Sequence, residues 1–208
     1  MAFNTAGIVG QPAAAASGTQ AQTRLGALAD TIVTELHAPF YEGAVRGNRF
    51  SAANQAAVAL SAAFATTYTG LVLYNPPGST VNGVLEKVGL AQTVVASAAT
   101  TLGLMTGFSP SVFAGVTAIT PKNKKLGGTA GQLLAAGAAT LPIAPSLDTI
   151  LGSLGTLATT GYGLNFYTYN LGGDIVIPPG GFVAVYSTAA FTAALIASFQ
   201  WEEVTITT

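Results

Sequence analysis

Near its carboxyl end the chain carries the stretch Asp174-Ile-Val-Ile-Pro-Pro-Gly-Gly-Phe-Val-Ala-Val-Tyr-Ser187. Two runs rich in β-branched and aromatic residues, 174–177 and 182–187, flank a Pro-Pro-Gly-Gly sequence that is typical of a tight turn. The stretch therefore predicts a pair of β-strands around that turn. Pro-Pro-Gly occurs again at 76–78. Because proline cannot donate a hydrogen bond to a central ladder, we interpret both as corners between strands.

Short apolar runs cut by Gly, Pro, Ser and Thr continue this pattern through most of the chain. They recur at intervals of roughly 8–15 residues, which favours an antiparallel sandwich over a βαβ fold. We predict an all-β, antiparallel jelly-roll-type sandwich of about eight strands, with at most one or two short helices. Ala56 to Thr67 is the main helix candidate, and 132–138 fits either a strand or a helical turn. The other predicted strands are 31–36, 69–75, 81–95, 100–107, 111–120, 163–170, 174–177, 182–187 and 190–204.

The first 50 residues differ in composition from the rest. Residues 1–23 are small and polar and offer little to a core, which predicts an extended N-terminal arm, with a merely flexible terminus as the alternative. Residues 24–208 are predicted to form a single sandwich domain that begins with a charged attachment segment, 24–50. That segment holds six of the fifteen charged residues, whereas 51–85 holds none.

Charge is scarce in the chain as a whole. Of the 208 residues, 50% are hydrophobic and only 7% are charged, against about 25% in an average soluble domain. A folded monomer of this mass exposes roughly 8,900 Å², which is a large surface for 8 acidic and 7 basic residues to keep soluble. The composition therefore predicts a surface largely covered by copies of the chain or by a larger assembly.

The sequence contains no pattern that indicates binding to nucleic acid or to a membrane. Nucleic-acid binding needs clustered lysines and arginines, and the one cluster, Lys122, Lys124 and Lys125, is typical of a solvated loop. No uninterrupted run of about 18 apolar residues would span a membrane, and the N-terminus lacks the cationic start of a secretory signal. There is no cysteine. We expect no nucleic-acid and no membrane partner.

Patterns for catalysis and for metal binding are also missing. A hydrolytic triad needs a histidine base, and an enzyme acting on cell-wall polymer would depend on the single histidine, His37. No P-loop and no dinucleotide-binding glycine motif occurs, and the scattered carboxylates lack metal-ligand spacing. Glu202 and Glu203 would point to opposite faces of a strand. We expect no enzymatic activity, no metal and no cofactor.

Several segments resemble proteins of known type. Three segments resemble small virion proteins of tailed bacteriophages: Thr31-Ile-Val-Thr-Glu-Leu-His-Ala-Pro-Phe-Tyr-Glu42, Arg46-Gly-Asn-Arg-Phe50 and Thr67-Tyr-Thr-Gly-Leu-Val-Leu-Tyr-Asn-Pro-Pro-Gly78. The part from Ile177-Pro-Pro-Gly-Gly-Phe182 to Trp201-Glu-Glu203 is similar to the last strands of jelly-roll capsid accessory proteins. The resemblance implies a decoration (cement) protein on the capsid surface of a virion, commonly a trimer. It equally implies a head or tail fibre component with the same sandwich.

The leading hypothesis is thus a non-enzymatic structural protein that bridges neighbouring subunits of a bacteriophage capsid, with the major capsid protein and copies of itself as partners. The attachment segment supplies the predicted contacts, because guanidinium groups grip carboxylates and aromatic rings anchor interfaces. The predicted partner-binding residues are Arg46, Arg49, Glu35, Phe40 and Tyr41. In the alternative interpretation, Glu35, Glu42 and the two arginines pair within one subunit.

A second hypothesis is a receptor- or glycan-binding module of a fibre or a vertex. Aromatic rings stack on sugars, and the chain has a group of them near its carboxyl end. At alternating spacing, such residues also fit a core on one face and a subunit contact on the other. The group consists of Tyr162, Phe166, Tyr167, Tyr169 and Trp201.

Overall fold

A computed structural model of the protein describes residues 40–61, 64–93, 99–154, 166–188 and 191–206. The chain divides into two units between Tyr41 and Glu42, and the sandwich belongs to the second unit, Glu42–Thr208. The predicted arm, residues 1–23, and the predicted strand 31–36 lie outside the described residues. Glu35 and His37 lie outside them as well.

The described residues form one short helix and twelve strands. No helix among them is long and apolar enough to cross a bilayer. The strands are arranged in two antiparallel sheets of six, so the predicted all-β sandwich is confirmed. In chain order the elements are α1 (Tyr41–Arg46), β1 (Arg49–Ala53), β2 (Val58–Leu60), β3 (Thr67–Tyr74), β4 (Val81–Gln92), β5 (Thr100–Phe108), β6 (Ala114–Ile119), β7 (Lys122–Asn123), β8 (Leu134–Thr140), β9 (Ser146–Leu154), β10 (Phe166–Ile177), β11 (Gly181–Ser187) and β12 (Phe191–Thr205).

The strand pairing has the nested order of a jelly roll. The first strands of the domain pair with the last, since β1 pairs with β12 and β3 with β11. β12 and β11 also pair with β4 and β5, and these pair in turn with β10 and β9. Eight strands therefore form two sheets of four, β1-β12-β4-β10 and β3-β11-β5-β9, which is the double Greek-key arrangement.

Four further strands widen these sheets. β2 pairs with β12 beside β1, and β7 continues that sheet beyond β1. β6 and β8 come from the long connection between β5 and β9, and they extend the other sheet beyond β3. We call this sheet, β6-β8-β3-β11-β5-β9, the uncharged sheet, because Asp148 is the one charged residue in its strands. The sheet β10-β4-β12-β1-β7 with β2 is the charged sheet.

Three features differ from the predicted elements. The helix predicted at 56–67 is wrong where the chain is described, because Val58–Leu60 pairs with β12 and this tertiary contact overrides the helix preference of alanine. The sequence pattern does not predict β9, whose register is broken by bulges. The described part of the predicted strand 163–170 and the predicted strand 174–177 belong to the single strand β10.

The core lies between the two sheets, where Trp201, Phe199 and Leu85 are fully buried in one apolar cluster. The uncharged sheet is apolar on its outer side too. Alternate residues of a strand face opposite sides, and Val72 belongs to a second buried cluster whereas its neighbours in β3 belong to the core. Phe113 packs against this second cluster. Burial on both sides explains why β11 is a continuous apolar run instead of an alternating one.

The two Pro-Pro-Gly sequences form the same kind of corner. Each is a type II turn, closed by a hydrogen bond of 3.1 Å across 76–79 and of 2.8 Å across 178–181. Gly78 and Gly180 occupy the left-handed position of their turns, both with φ of 88°. The first corner leads from β3 to β4 and the second from β10 to β11, so each carries the chain from one sheet to the other. The strand pair predicted around 178–181 thus belongs to two different sheets.

Asn75 holds the two corners together. Its backbone amide donates to the Gly181 carbonyl, and its own carbonyl accepts from the Gly180 amide, at 2.9 and 2.8 Å. Its buried side-chain amide donates to the carbonyl oxygens of Val81 and Ile177, at 2.7 and 3.0 Å. One asparagine therefore links the end of β3, the start of β4, the end of β10 and the start of β11.

The matched corners yield a stability prediction. Gly78→Ala and Gly180→Ala each place a side chain at the same positive φ, which costs about 1–2 kcal/mol. A Cβ at Gly180 would also lie 2.8 Å from the Ser109 carbonyl oxygen, whereas nothing lies within 4 Å of a Cβ at Gly78. We expect Gly180→Ala to lower the free energy of unfolding clearly more than Gly78→Ala. Urea unfolding of both variants measures this, and equal losses would contradict the corner geometry.

Candidate functional site

The attachment segment is described from Phe40 onward, and it forms α1 and the start of β1. The helix ends in a Schellman motif, in which the Asn48 amide donates to the Gly43 carbonyl and the Gly47 amide to the Ala44 carbonyl, both at 3.1 Å. Gly47 has the left-handed φ of 80° that this motif favours. Residues 41–46 are thus helical, and the chain turns at Gly47 towards β1.

Arg46 and the aromatic anchors lie on or near the surface. Arg46 Nη2 is 2.8 Å from Glu42 Oε1 one helical turn earlier, and both side chains are exposed. Such an exposed i, i+4 pair contributes about 0.3–0.5 kcal/mol. Tyr41 is exposed and Phe40 is half-buried. Their role in binding a partner stays a prediction.

Arg49 lies inside the protein. Its guanidinium forms an ion pair with Glu86 of β4, and both residues are buried. The aliphatic part of Arg49 passes beneath α1, where a Cβ on Gly43 would come within 2.9 Å of Arg49 Cδ. Burial lowers the pKa of Arg49, and the negative charge of Glu202 opposes this effect. Both arginines thus pair within the chain, as in the alternative interpretation, although the partner of Arg49 is Glu86.

A second buried carboxylate, that of Glu203, anchors the connection between β7 and β8. It accepts hydrogen bonds from the backbone amides of Gln132 and Leu133 at 2.8–2.9 Å, and the Trp201 indole N–H lies 3.4 Å away. Its neighbour Glu202 is only half-buried. This difference agrees with the prediction that the two glutamates point to opposite faces of the strand.

The basic loop after β7 is braced by the side chain of Asn123. Its amide donates to the carbonyl oxygens of Gly47 and Thr129, at 2.9 and 2.8 Å. Its Oδ1 accepts from the backbone amide of Lys125 at 2.8 Å. Three hydrogen bonds from one side chain therefore fix the loop against the end of α1.

The tip of this loop presents an apolar side chain between cations. The Gly128 amide donates to the Lys125 carbonyl at 2.8 Å, and Gly127 has φ of 78°, which makes a turn with Leu126 at its outermost position. Leu126 is 96% exposed. Three exposed lysines accompany it. We call this feature the basic knob; it consists of Lys122, Lys124, Lys125 and Leu126.

A groove of about 380 Å³ lies on the other side of the sandwich, between β9 and β10. Phe108 and Val176 line it and are 61% and 53% exposed. Asp148 of β9 and Asp174 of β10 line the same groove. We call it the acidic groove. It combines an apolar wall with two carboxylates, one from each sheet.

Both aspartates of the acidic groove lie at irregularities of their strands. Asp148 has no Cα partner in the ladder between β9 and β5. In β10, residues 171–174 leave the ladder with β4, and Gly172 and Gly173 have positive φ. Bulges change the direction in which a side chain points. This groove cannot be predicted from the sequence, because no alternation pattern brings residues 148 and 174 together.

The aromatic group proposed for stacking on sugars is largely turned inward. Trp201 is fully buried beside Phe50. Tyr167 and Tyr169 pack against the core and stack on each other, with 6.1 Å between ring centroids. Phe166 is 72% exposed, so the alternation of core and exterior along this strand is confirmed. Tyr162 lies outside the described residues.

Neither a metal-binding cluster nor a match to a known family indicates what this protein does. Among the residues that the structure describes, no group of three or more His, Cys, Asp or Glu side chains would hold a metal ion. Comparisons with protein-family models, with curated proteins and with solved structures find no match to the chain. Its class is therefore that of a jelly-roll β-sandwich, and its function has to be inferred from its surfaces.

The two arginines of the attachment segment are expected to differ strongly in their effect on stability. Arg49→Ala leaves the Glu86 carboxylate buried without its counter-charge, which we expect to lower the free energy of unfolding by about 3–5 kcal/mol. Arg46→Ala removes an exposed pair and should cost about 0.3–0.5 kcal/mol. Urea unfolding followed by the fluorescence of Trp201 measures both. As a control, Arg49→Met combined with Glu86→Leu should recover most of the loss; similar small losses for both arginines would count against the buried pair.

Proposed function

We propose that the protein is a non-enzymatic structural component of a virion, located on the capsid surface, where it stabilises a bacteriophage capsid by bridging neighbouring capsid subunits. The observation that carries this proposal is the distribution of charge between the two sheets. The strands of the uncharged sheet contain one charged residue, Asp148. The strands of the charged sheet contain seven: Arg49, Glu86, Lys87, Lys122, Asp174, Glu202 and Glu203.

A sheet of this composition suits burial against another protein. Interface cores are depleted of charged residues, because a charge that is buried on binding loses its water. Large apolar side chains are also exposed along the uncharged sheet: Val116, Leu134, Leu147 and Ile150. Binding through the exposed parts of this sheet, in β6, β8 and β9, would cover apolar surface at little electrostatic cost.

The fold and the resemblance support the same role. Jelly rolls are common in viral capsid proteins and also occur in lectins. The resemblance of the segments 31–42, 46–50 and 67–78 to small virion proteins favours the capsid role among these. The major capsid protein and further copies of this chain are the partners that such a role requires, with a homotrimer as the favoured assembly.

A second candidate function is a receptor- or glycan-binding module at a fibre or a vertex. Phe166 favours it, because this exposed ring borders a hollow of about 260 Å³ on the charged sheet, together with Lys87, Thr168 and Gln200. An aromatic ring beside amide and hydroxyl groups suits a sugar. A glycan array probed with the protein and with Phe166→Ala tests this function, and binding that Phe166→Ala leaves unchanged argues against it.

Shell binding tests the capsid role. Empty capsid shells are mixed with purified protein, and occupancy is read from quantitative gels. Val116→Lys puts a cation on the uncharged sheet, and we expect it to weaken shell binding by about tenfold or more, since 1.4 kcal/mol is enough for that factor. Val204→Lys places the same change at an exposed valine of the charged sheet and should leave binding unchanged.

Two outcomes would contradict the capsid role. One is wild-type protein that folds but does not bind shells. The other is a copy number per virion far below that of the major capsid protein, which would assign the chain to a portal, tail or fibre.

A further inference from the structure

The two lateral edges of the sandwich carry opposite charges. β9 and β10 end the uncharged and the charged sheet on one side, and the acidic groove lies between them. β6 and β7 end the two sheets on the other side, and the basic knob begins in β7 and continues directly after it. Within the described part of the chain, neither the two aspartates of the groove nor the three lysines of the knob form an ion pair. Among the described residues, each edge therefore presents uncompensated charge of one sign.

The apolar parts of the two edges also match. Leu126 projects from the tip of the knob and is almost completely exposed. The groove offers an apolar wall, in which Phe108 and Val176 are exposed, and Gly107 and Gly181 leave room because they lack side chains. Its volume of about 380 Å³ accommodates a leucine side chain together with part of the turn that carries it. The knob is thus a leucine flanked by lysines, and the groove is an apolar wall flanked by aspartates. The two surfaces are complementary in both shape and charge.

The knob is already held in the shape that docking would need. The three hydrogen bonds of Asn123 and the turn at 125–128 fix its backbone, so little conformational entropy is lost when it binds. Its charge is also poorly compensated within the chain. Partial burial, followed by the positive charges of Arg49 and Lys87, lowers the pKa of the otherwise exposed Lys124. A carboxylate supplied from outside would reverse that effect.

The edge strands themselves favour a partner. β6, Ala114–Ile119, contains neither a charged residue nor a proline, and its residues are exposed except for the half-buried Ile119. Soluble monomers usually protect such an edge with lysine, proline or a covering element, because its unpaired backbone groups invite association. Contact between the knob edge of one molecule and the groove edge of another would cover β6 and β9 together.

We propose that the basic knob of one copy of this chain docks into the acidic groove of the next copy, with Leu126 in the groove and lysines facing Asp148 and Asp174. The partner is therefore a second copy, and the contact is head to tail because the two surfaces are different. Such contacts close into rings or continue as filaments. The choice of a closed trimer, the smallest head-to-tail ring, rests on the proposed function, whereas the contact itself does not.

Charge reversal at either surface tests the contact. Analytical ultracentrifugation of the full chain should show an oligomer. Lys124→Glu with Lys125→Glu (the knob variant) and Asp148→Lys with Asp174→Lys (the groove variant) should each sediment as a single chain of 20.8 kDa. Leu126→Asp should do the same by a single change at an exposed turn, and Val204→Asp on the charged sheet should leave the oligomer intact. Circular dichroism confirms that each variant is folded.

Mixing or combining the variants distinguishes a head-to-tail contact from a symmetric one. The basic knob of the groove variant fits the acidic groove of the knob variant, and the two reversed surfaces fit each other as well. The two variants together should therefore form an oligomer in which they alternate, although neither associates alone. A chain with all four substitutions restores opposite charges and should regain the oligomer. If like surfaces met in a symmetric contact, reversing the groove would not rescue a reversed knob, so the chain with all four substitutions would stay monomeric.

The inference and the proposed function fail in different ways. Wild-type protein that is monomeric, or a knob variant and Leu126→Asp that both keep the wild-type mass, would overturn the docking contact. A monomer that still binds capsid shells would leave the capsid role standing. An oligomer that responds to the substitutions as expected but binds no shell would overturn the capsid role alone.

Discussion

The side-chain amide of Asn75 is the constraint on which the arrangement of the sheets depends. In a jelly roll the chain repeatedly crosses from one sheet to the other, and two of these crossings meet here. Buried carbonyl groups need hydrogen-bond partners, and one amide supplies them to both crossings through its two donors. The spacing of the sheets at this end follows from that link. The fully buried layer of Trp201, Phe199 and Leu85 can then fill the space between them.

Much of the fold was predictable because turn chemistry and strand composition are local signals. Both Pro-Pro-Gly corners and most strands could be located in this way. The pairing of β1 with β12 could not, because it joins residues near opposite ends of the domain. β9 escaped prediction for another reason: its bulges interrupt the two-residue period that marks a half-buried strand. The alanines around β2 predict a helix, because alanine favours helices wherever no neighbouring strand competes.

The candidate surfaces were less predictable than the fold. The scarcity of charge pointed to assembly, and the cluster of arginines drew attention to the attachment segment. The pairing of Arg49 with Glu86, however, depends on β1 and β4 flanking β12 in the same sheet. A leucine within a basic loop carries no signal of its own, and Leu126 becomes conspicuous only through the turn that exposes it. Asp148 and Asp174 meet because two different sheets end at the same edge.

The anchor of Glu203 has a consequence for how the long connection between β5 and β9 can change. Its carboxylate binds the backbone amides of Gln132 and Leu133, not their side chains. The anchor therefore does not depend on the side chains at 132 and 133, provided that neither is proline, which lacks the amide. Other contacts still restrict this stretch, because Leu133 is buried in the core and a Cβ on Gly131 would collide with the Glu203 carboxylate. The connection is thus fixed to the sandwich through its backbone, both by this anchor and by the pairing of β8 with β3. Exchanging its outer part would give the same sandwich a new specificity while the jelly roll beneath it stays intact.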